Sequence, residues 1–168
     1  MRWWILILLI FIKNLYVTRM IKIVFSILTL YVFSALTLAD EDLENEAVKL
    51  LQAYLKVDTI SPPGNESRAV DFLAKIFDEE GIEYDSAESA PTRGNIWARI
   101  KGGDKPALIL LHHSDVVPAN EEYWDFDPLS GEIVDGYIQG RGALDMKGLG
   151  ISHLANFLKL HRSKQASQ

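Results

Sequence analysis

The strongest constraint on the fold is a short, uninterrupted apolar run from Ala107 to Leu111. It follows the turn sequence Gly102-Gly103-Asp104, and polar residues begin immediately after it. An apolar run of this length, bounded in this way, is typical of a strand that is covered on both faces, as strands of parallel sheets are. We therefore predict a buried strand here, ending where His112 begins.

Segments with helical and strand patterns alternate around this run. Apolar residues at helical spacing predict three helices, over residues 42–57, Ser67 to Glu80 and Gly148 to His161. Shorter patterns predict strands over Ile82 to Ser86 and Asn95 to Ile100, a loop from Pro118 to about Ser130, and a hairpin around Asp135-Gly136. The alternation predicts the α/β class, as a sandwich with a mixed, mainly parallel central sheet flanked by helices.

Charge is distributed unevenly along the chain. All 23 acidic residues of the 168-residue chain lie from Asp40 onward, together with 13 of the 17 basic ones. A body this acidic lacks the cationic face that phosphate backbones require, so we expect no nucleic-acid partner. The chain has no cysteine, so any bound metal must be held by nitrogen and oxygen ligands.

Two apolar runs precede the acidic body, Trp3 to Ile12 and Ile23 to Leu38. Each is shorter than the roughly 20 residues that a membrane-spanning helix needs. One alternative is a membrane anchor made of both runs, but Lys13, Asn14 and Arg19 interrupt any longer span.

The second run has the parts of a signal peptide: Lys22 before the apolar stretch, and small residues at Thr37 and Ala39 after it. We expect translation to start at Met20 and residues 1–39 to comprise an upstream extension and this signal. The sequence therefore predicts export to the periplasm or the outside, with cleavage after Ala39 and a body of residues 40–168.

The first candidate site lies where the predicted buried strand ends. Side chains alternate along a strand, so His113 and Asp115 share a face and His112 points the other way. An aspartate beside a histidine can fix the ring tautomer and leave the second nitrogen free for a metal. The alternative is a polar strand end, with His112 a packed or surface histidine.

The second candidate site is the glycine-bearing loop from Gly140 to Lys147. Asp145 precedes the last predicted helix, so its carboxylate either caps that helix or bridges two metal ions. The flanking charges have simpler interpretations: Lys147 as a solvated charge and Arg141 as a structural partner for a carboxylate.

Together these segments resemble the di-zinc aminoacylase and carboxypeptidase family, which includes acetylornithine deacetylase, succinyl-diaminopimelate desuccinylase and glutamate carboxypeptidase. The resemblance is close from Leu110 to Gly150, and the helical stretch over residues 42–80 is compatible with it. It rests on three pieces: His113-Ser114-Asp115-Val116-Val117-Pro118, Trp124-Asp125-Phe126-Asp127-Pro128-Leu129-Ser130-Gly131, and Asp135 through Gly148 with the sequence DGYIQGRGALDMKG.

The resemblance implies a role for each candidate residue. His113 would be a ligand of one zinc, Asp115 the active-site residue that orients its imidazole, and Asp145 the bridge between two zinc ions, with cobalt as a possible substitute. The implied reaction is hydrolysis of amide bonds in N-acyl amino acids or short peptides with a free carboxylate. A homodimer is the assembly expected of the complete enzyme.

The family's catalytic Glu-Glu pair, a further acidic ligand and a final histidine are expected a few dozen residues or more after Asp145. The chain does not extend that far, so we expect it to be inactive as given, an amino-terminal fragment of the catalytic domain. The alternative is a non-catalytic binding domain derived from such an enzyme.

Overall fold

The computed structural model describes residues 20–27 and 42–164. The chain divides into two compact units, residues 1–42 and 43–168. In the first, residues 20–27 are helical, and the predicted cleavage site after Ala39 lies outside the described residues. No helix within the described ranges is both long and apolar enough to cross a bilayer.

Three helices form the framework of the second unit. Helix α1 spans residues 42–55, α2 spans Ser67–Glu80 and α3 spans Gly148–Ser163. Each of the three predicted helices is confirmed, with ends displaced by at most two residues.

The helices bury one continuous apolar core. It consists of Tyr54, Ala69, Leu73, Ile76, Phe77, Ile82, Ile151, Leu154 and Leu158. Helices α2 and α3 supply most of these side chains. Tyr54 of α1 stacks on Phe72 of α2 with ring centroids 5.0 Å apart, so the aromatic ring of Tyr54 is held in one orientation.

Two small antiparallel sheets accompany the helices. Strands β1 (Tyr84–Glu88) and β2 (Gly94–Ala98) pair with each other, and β3 (Ile133–Val134) pairs with β4 (Tyr137–Ile138). Between β3 and β4, Asp135 and Gly136 have φ of 52° and 82°. Two positive φ values at the centre of a two-residue loop define the hairpin that Asp-Gly predicted. The predicted loop after Pro118 contains a short 3₁₀ helix, Glu121–Tyr123.

The burial predicted for Ala107 to Leu111 is wrong for the described residues. Leu108 is 84% exposed and Ile109 81% exposed, and the run joins neither sheet. A strand is buried on both faces only when neighbouring strands bind its backbone and helices cover it. Among the described residues, this run has neither a neighbouring strand nor a covering helix. The parallel pairing in the described part of the chain is one isolated bridge, between Ile60 and Val116. The fold class is therefore α/β in a coarser sense, with helices and small antiparallel sheets.

Candidate metal centre

The segment that carries His113 is attached to the loop after α1. The backbone amide of Val116 donates to Thr59 at 3.0 Å, and that of Ser61 donates to Val116 at 2.9 Å. The hydroxyl of Thr59 donates to the carbonyl of Ser114 at 2.6 Å. The chain is thus fixed immediately beyond His113, although the apolar run before it is exposed.

His113 and Asp115 are brought together as predicted. The ring atom Nδ1 of His113 lies 3.2 Å from Oδ1 of Asp115 and 3.0 Å from its backbone oxygen. With a proton on Nδ1 the ring donates toward these oxygens. The ring orientation is then fixed, and Nε2 is the nitrogen left for another partner.

That partner is Asp145, 32 residues further along the chain. Its Oδ1 lies 2.9 Å from Nε2 of His113. Asp145 belongs to the π-helical turn Ala143–Lys147, and its φ of −127° and ψ of 91° interrupt the helical path. Its side chain is 89% exposed. The capping interpretation fails, because the N-cap position of α3 is Lys147 and no side-chain cap bond is made there.

The two carboxylates set the electrostatics of this histidine. The hydrogen bond to Asp145 raises the pKa of His113, the contacts with Asp115 add to the increase, and partial burial opposes it. An imidazole between two carboxylates retains a proton more readily than a free one, because the cationic form is stabilised on both sides. The same negative potential attracts a metal cation.

The side chain of His112 is packed against neighbouring side chains, which is one of the two interpretations that the sequence left open for it. Its Nε2 lies 3.1 Å from the hydroxyl of Tyr54, and the two rings meet edge to face at 5.9 Å. Helix α3 approaches so closely that a Cβ on Gly150 would lie 2.5 Å from the His112 ring. Burial, followed by the neighbouring charges of His153, His113 and Lys147, lowers the pKa of His112.

Lys147 is fully buried, so its interpretation as a solvated charge is wrong. Its Nζ donates to the carbonyl of Tyr54 at 3.0 Å and to that of Val57 at 2.7 Å. It also lies 4.8 Å from the centroid of the Tyr54 ring. Burial lowers the pKa of Lys147 to about 8, so the ammonium form still predominates at neutral pH.

Arg141 contacts an aromatic ring rather than the predicted carboxylate. Its guanidinium lies 4.8 Å from the centroid of Trp124, whose ring meets Phe126 edge to face at 5.2 Å. The Arg141 amide donates to the carbonyl of Pro128 at 2.6 Å. Through these contacts Arg141 connects the predicted loop to the glycine-bearing segment.

The donor set formed by His113 and Asp145 suits zinc. An imidazole nitrogen and a carboxylate oxygen are both ordinary zinc ligands, they converge here, and Asp115 supports the imidazole from behind. Both side chains are accessible from solvent. No group of three or more histidine or acidic side chains is placed to hold a metal within residues 20–27 and 42–164. Among the described residues, His113 and Asp145 are thus the two candidate ligands.

A histidine oriented by one carboxylate and facing another, at the edge of an α/β framework, is the kind of site that hydrolases use to bind a metal ion. Residues 109–168 match the model of peptidase family M20/M25/M40. The matched segment is similar to this family, and the match supports the family that the motifs predicted.

The chain is similar to curated proteins with two different names. The chain is 37% identical over 110 residues to succinyl-diaminopimelate desuccinylase of Methylorubrum extorquens, covering 62% of this chain and 28% of the relative. It is 38% identical over 116 residues to aminoacylase-1 of Sus scrofa, covering 66% and 28%. It is 34% identical over 128 residues to succinyl-diaminopimelate desuccinylase of Psychromonas ingrahamii, covering 74% and 33%. The chain thus spans about a third or less of these relatives.

Proposed function

We propose that the protein to which this chain belongs is a zinc-dependent hydrolase that cleaves amide bonds of N-acyl amino acids or short peptides with a free carboxylate. The observation that carries the proposal is the 2.9 Å approach of Nε2 of His113 to Oδ1 of Asp145, with Asp115 at the opposite ring nitrogen. The names of the relatives, a desuccinylase and an aminoacylase, support the same substrate class.

Each residue has a defined task in this proposal. Asp115 would keep the proton on Nδ1 of His113, so that Nε2 would be free to hold a metal. Asp145 would hold the metal through its exposed carboxylate, which lies beside that nitrogen. The bound metal would supply Lewis-acid activation of a water and polarisation of the scissile carbonyl.

We also propose that the 168-residue chain by itself does not turn over substrate. A catalytic zinc usually has three protein ligands and one open position. Of the residues that the structure describes, His113 and Asp145 would provide two ligands, and Asp115 lies behind the ring. Weak binding of one zinc ion is therefore the expected behaviour of this chain.

Zinc titration of the purified chain by calorimetry tests the site. We expect His113→Gln and Asp145→Asn each to weaken zinc binding by at least about tenfold, because each removes a ligand. Asp135→Asn is the matched control: it makes the same change at an exposed turn residue and should bind zinc as the unmodified chain does.

Two results would contradict these proposals. Zinc affinity unchanged in both ligand variants would remove His113 and Asp145 from the metal site and favour the non-catalytic binding domain. Zinc-dependent hydrolysis of an acyl-amino-acid panel by the chain alone, abolished by Asp145→Asn, would show that the chain has a complete site, for example by sharing ligands between copies.

Three further features are proposed from the sequence. The complete protein would have the mainly parallel central sheet, with Ala107 to Leu111 as one of its strands, and would form a homodimer. It would be exported, with cleavage after Ala39. Amino-terminal sequencing of the mature protein should then begin at Asp40, and a product that retains Met20 would contradict export by this signal.

A further inference from the structure

The geometry points to Tyr54, together with Lys147, as the positioning element that sets the distance between the two halves of the candidate metal centre. Tyr54 is the residue before the end of α1, and it contacts one neighbour of each ligand. This inference rests on the proposed function, because it assigns Tyr54 and Lys147 a role in the same metal site.

The first contact joins Tyr54 to the segment of Asp145. The Lys147 ammonium donates to the carbonyls of Tyr54 and Val57, at 3.0 and 2.7 Å. Tyr54 lies in the last turn of α1 and Val57 two residues beyond its end, where the helix dipole makes the surroundings negative. A buried cation is therefore held firmly here, and it fixes the backbone two residues beyond Asp145.

The second contact joins Tyr54 to the segment of His113. The Tyr54 hydroxyl lies 3.1 Å from Nε2 of His112, the residue immediately before the ligand. The Tyr54 ring cannot turn away easily, because it is fully buried and stacks on Phe72. The hydroxyl is therefore presented to His112 from a fixed position.

The two contacts together define a short physical path between the ligands. It runs from His113 through its neighbour His112 to Tyr54, and from Tyr54 through Lys147 to Asp145. The ligands themselves are 32 residues apart in the sequence and exposed at their meeting point. Side chains that converge at the surface keep a fixed separation only when a rigid framework supports them. In a binding or catalytic site, a displacement of about 1 Å already weakens function.

Tyr54→Phe is the sharpest test, because it removes the hydroxyl and keeps the ring, its stacking and the carbonyl that Lys147 binds. We expect zinc affinity to fall about tenfold, the range seen when residues that support metal ligands are changed. The urea midpoint of unfolding should change little. In the metal-free chain, the ¹⁵N shifts of the His113 ring should move, since its position relative to Asp145 changes.

Tyr84→Phe is the matched control. It makes the same change on a partly buried ring that packs against Phe77 of the core, and should leave zinc affinity and the His113 ring shifts unaltered. Lys147→Met is the second variant and breaks the other half of the path. It should also weaken zinc binding, and it keeps the inference testable if Tyr54→Phe does not fold.

The outcomes separate this inference from the proposed function. If the unmodified chain binds no zinc but Tyr54→Phe still moves the His113 ring shifts, the positioning role stands and the metal site fails. If the unmodified chain binds zinc and neither Tyr54→Phe nor Lys147→Met changes its affinity or the ring shifts, the inference is overturned.

Discussion

Two sets of apolar side chains in this chain are similar in size but differ in their surroundings. The α3 residues Ile151, Leu154 and Leu158 are almost completely buried against α1 and α2. The run Ala107 to Leu111 carries leucine and isoleucine side chains of the same size, yet most of their surface is exposed. Apolar composition therefore determines burial only where the rest of the fold supplies a partner surface.

The same contrast separates the two halves of the candidate metal centre. Asp145 belongs to a turn whose next charged residue, Lys147, is fixed inside the helical core. His113 follows the exposed run and is fixed mainly by contacts at residues 112–116. Asp145 is therefore supported by a neighbour inside the core, and His113 by a few hydrogen bonds at the end of an uncovered segment.

The largest expected effect lies in the buried region. Leu158 is 1% exposed, so Leu158→Ala should remove about 3 kcal/mol from the free energy of unfolding, through lost transfer energy and the cavity left behind. Urea denaturation followed by circular dichroism measures it. Leu149→Ala is the matched control on the same helix, at a residue that is 46% exposed, and its loss should be clearly smaller. Equal losses would contradict the assigned core.

The helices and the hairpin could be predicted because their signals are local. The apolar spacing of Ser67 to Glu80 and the Asp135-Gly136 pair each specify their own structure. The meeting of His113 with Asp145 was predicted through family motifs. The predicted central sheet is not formed by the described residues, because burial of Ala107 to Leu111 depends on strands that are distant in sequence. Burial of Lys147 was missed since a lysine carries no local signal for two carbonyls that lie 93 and 90 residues away.

A smaller effect is expected where the helices meet at a surface ion-pair network. Arg162 donates to both carboxylate oxygens of Glu46 at 2.7 Å and also binds Glu80. Its hydrogen bonds are the main cause that lowers the pKa of both glutamates. A carboxylate whose folded-state pKa is lowered stabilises the fold above its ordinary pKa, and this stability is lost as pH falls through the folded-state value.

Arg162→Gln should therefore cost about 1 kcal/mol at pH 7, a value kept small by solvent screening of partly exposed groups. The difference from the unmodified chain should shrink as the pH falls below about 4.5, the ordinary glutamate value. Urea unfolding at a series of pH values measures both effects. Lys75→Gln is the control, since its pair with Glu79 is exposed and 3.9 Å long, and it should change little at any pH. A difference that is constant with pH would contradict the network.

The smallest effect is expected in the exposed run. Ile109 is 81% exposed, so its side chain gains little from folding, and Ile109→Ser should change the free energy of unfolding by no more than about 0.5 kcal/mol. The same urea experiment measures it beside Leu158→Ala. A loss of about 2 kcal/mol or more would contradict the exposure of this run in solution, because only a covered isoleucine has that much transfer energy to lose.

If the loss also depended on protein concentration, the covering surface would belong to another copy of the chain. The half of the metal centre that carries His113 would then be supported as firmly as the half that carries Asp145.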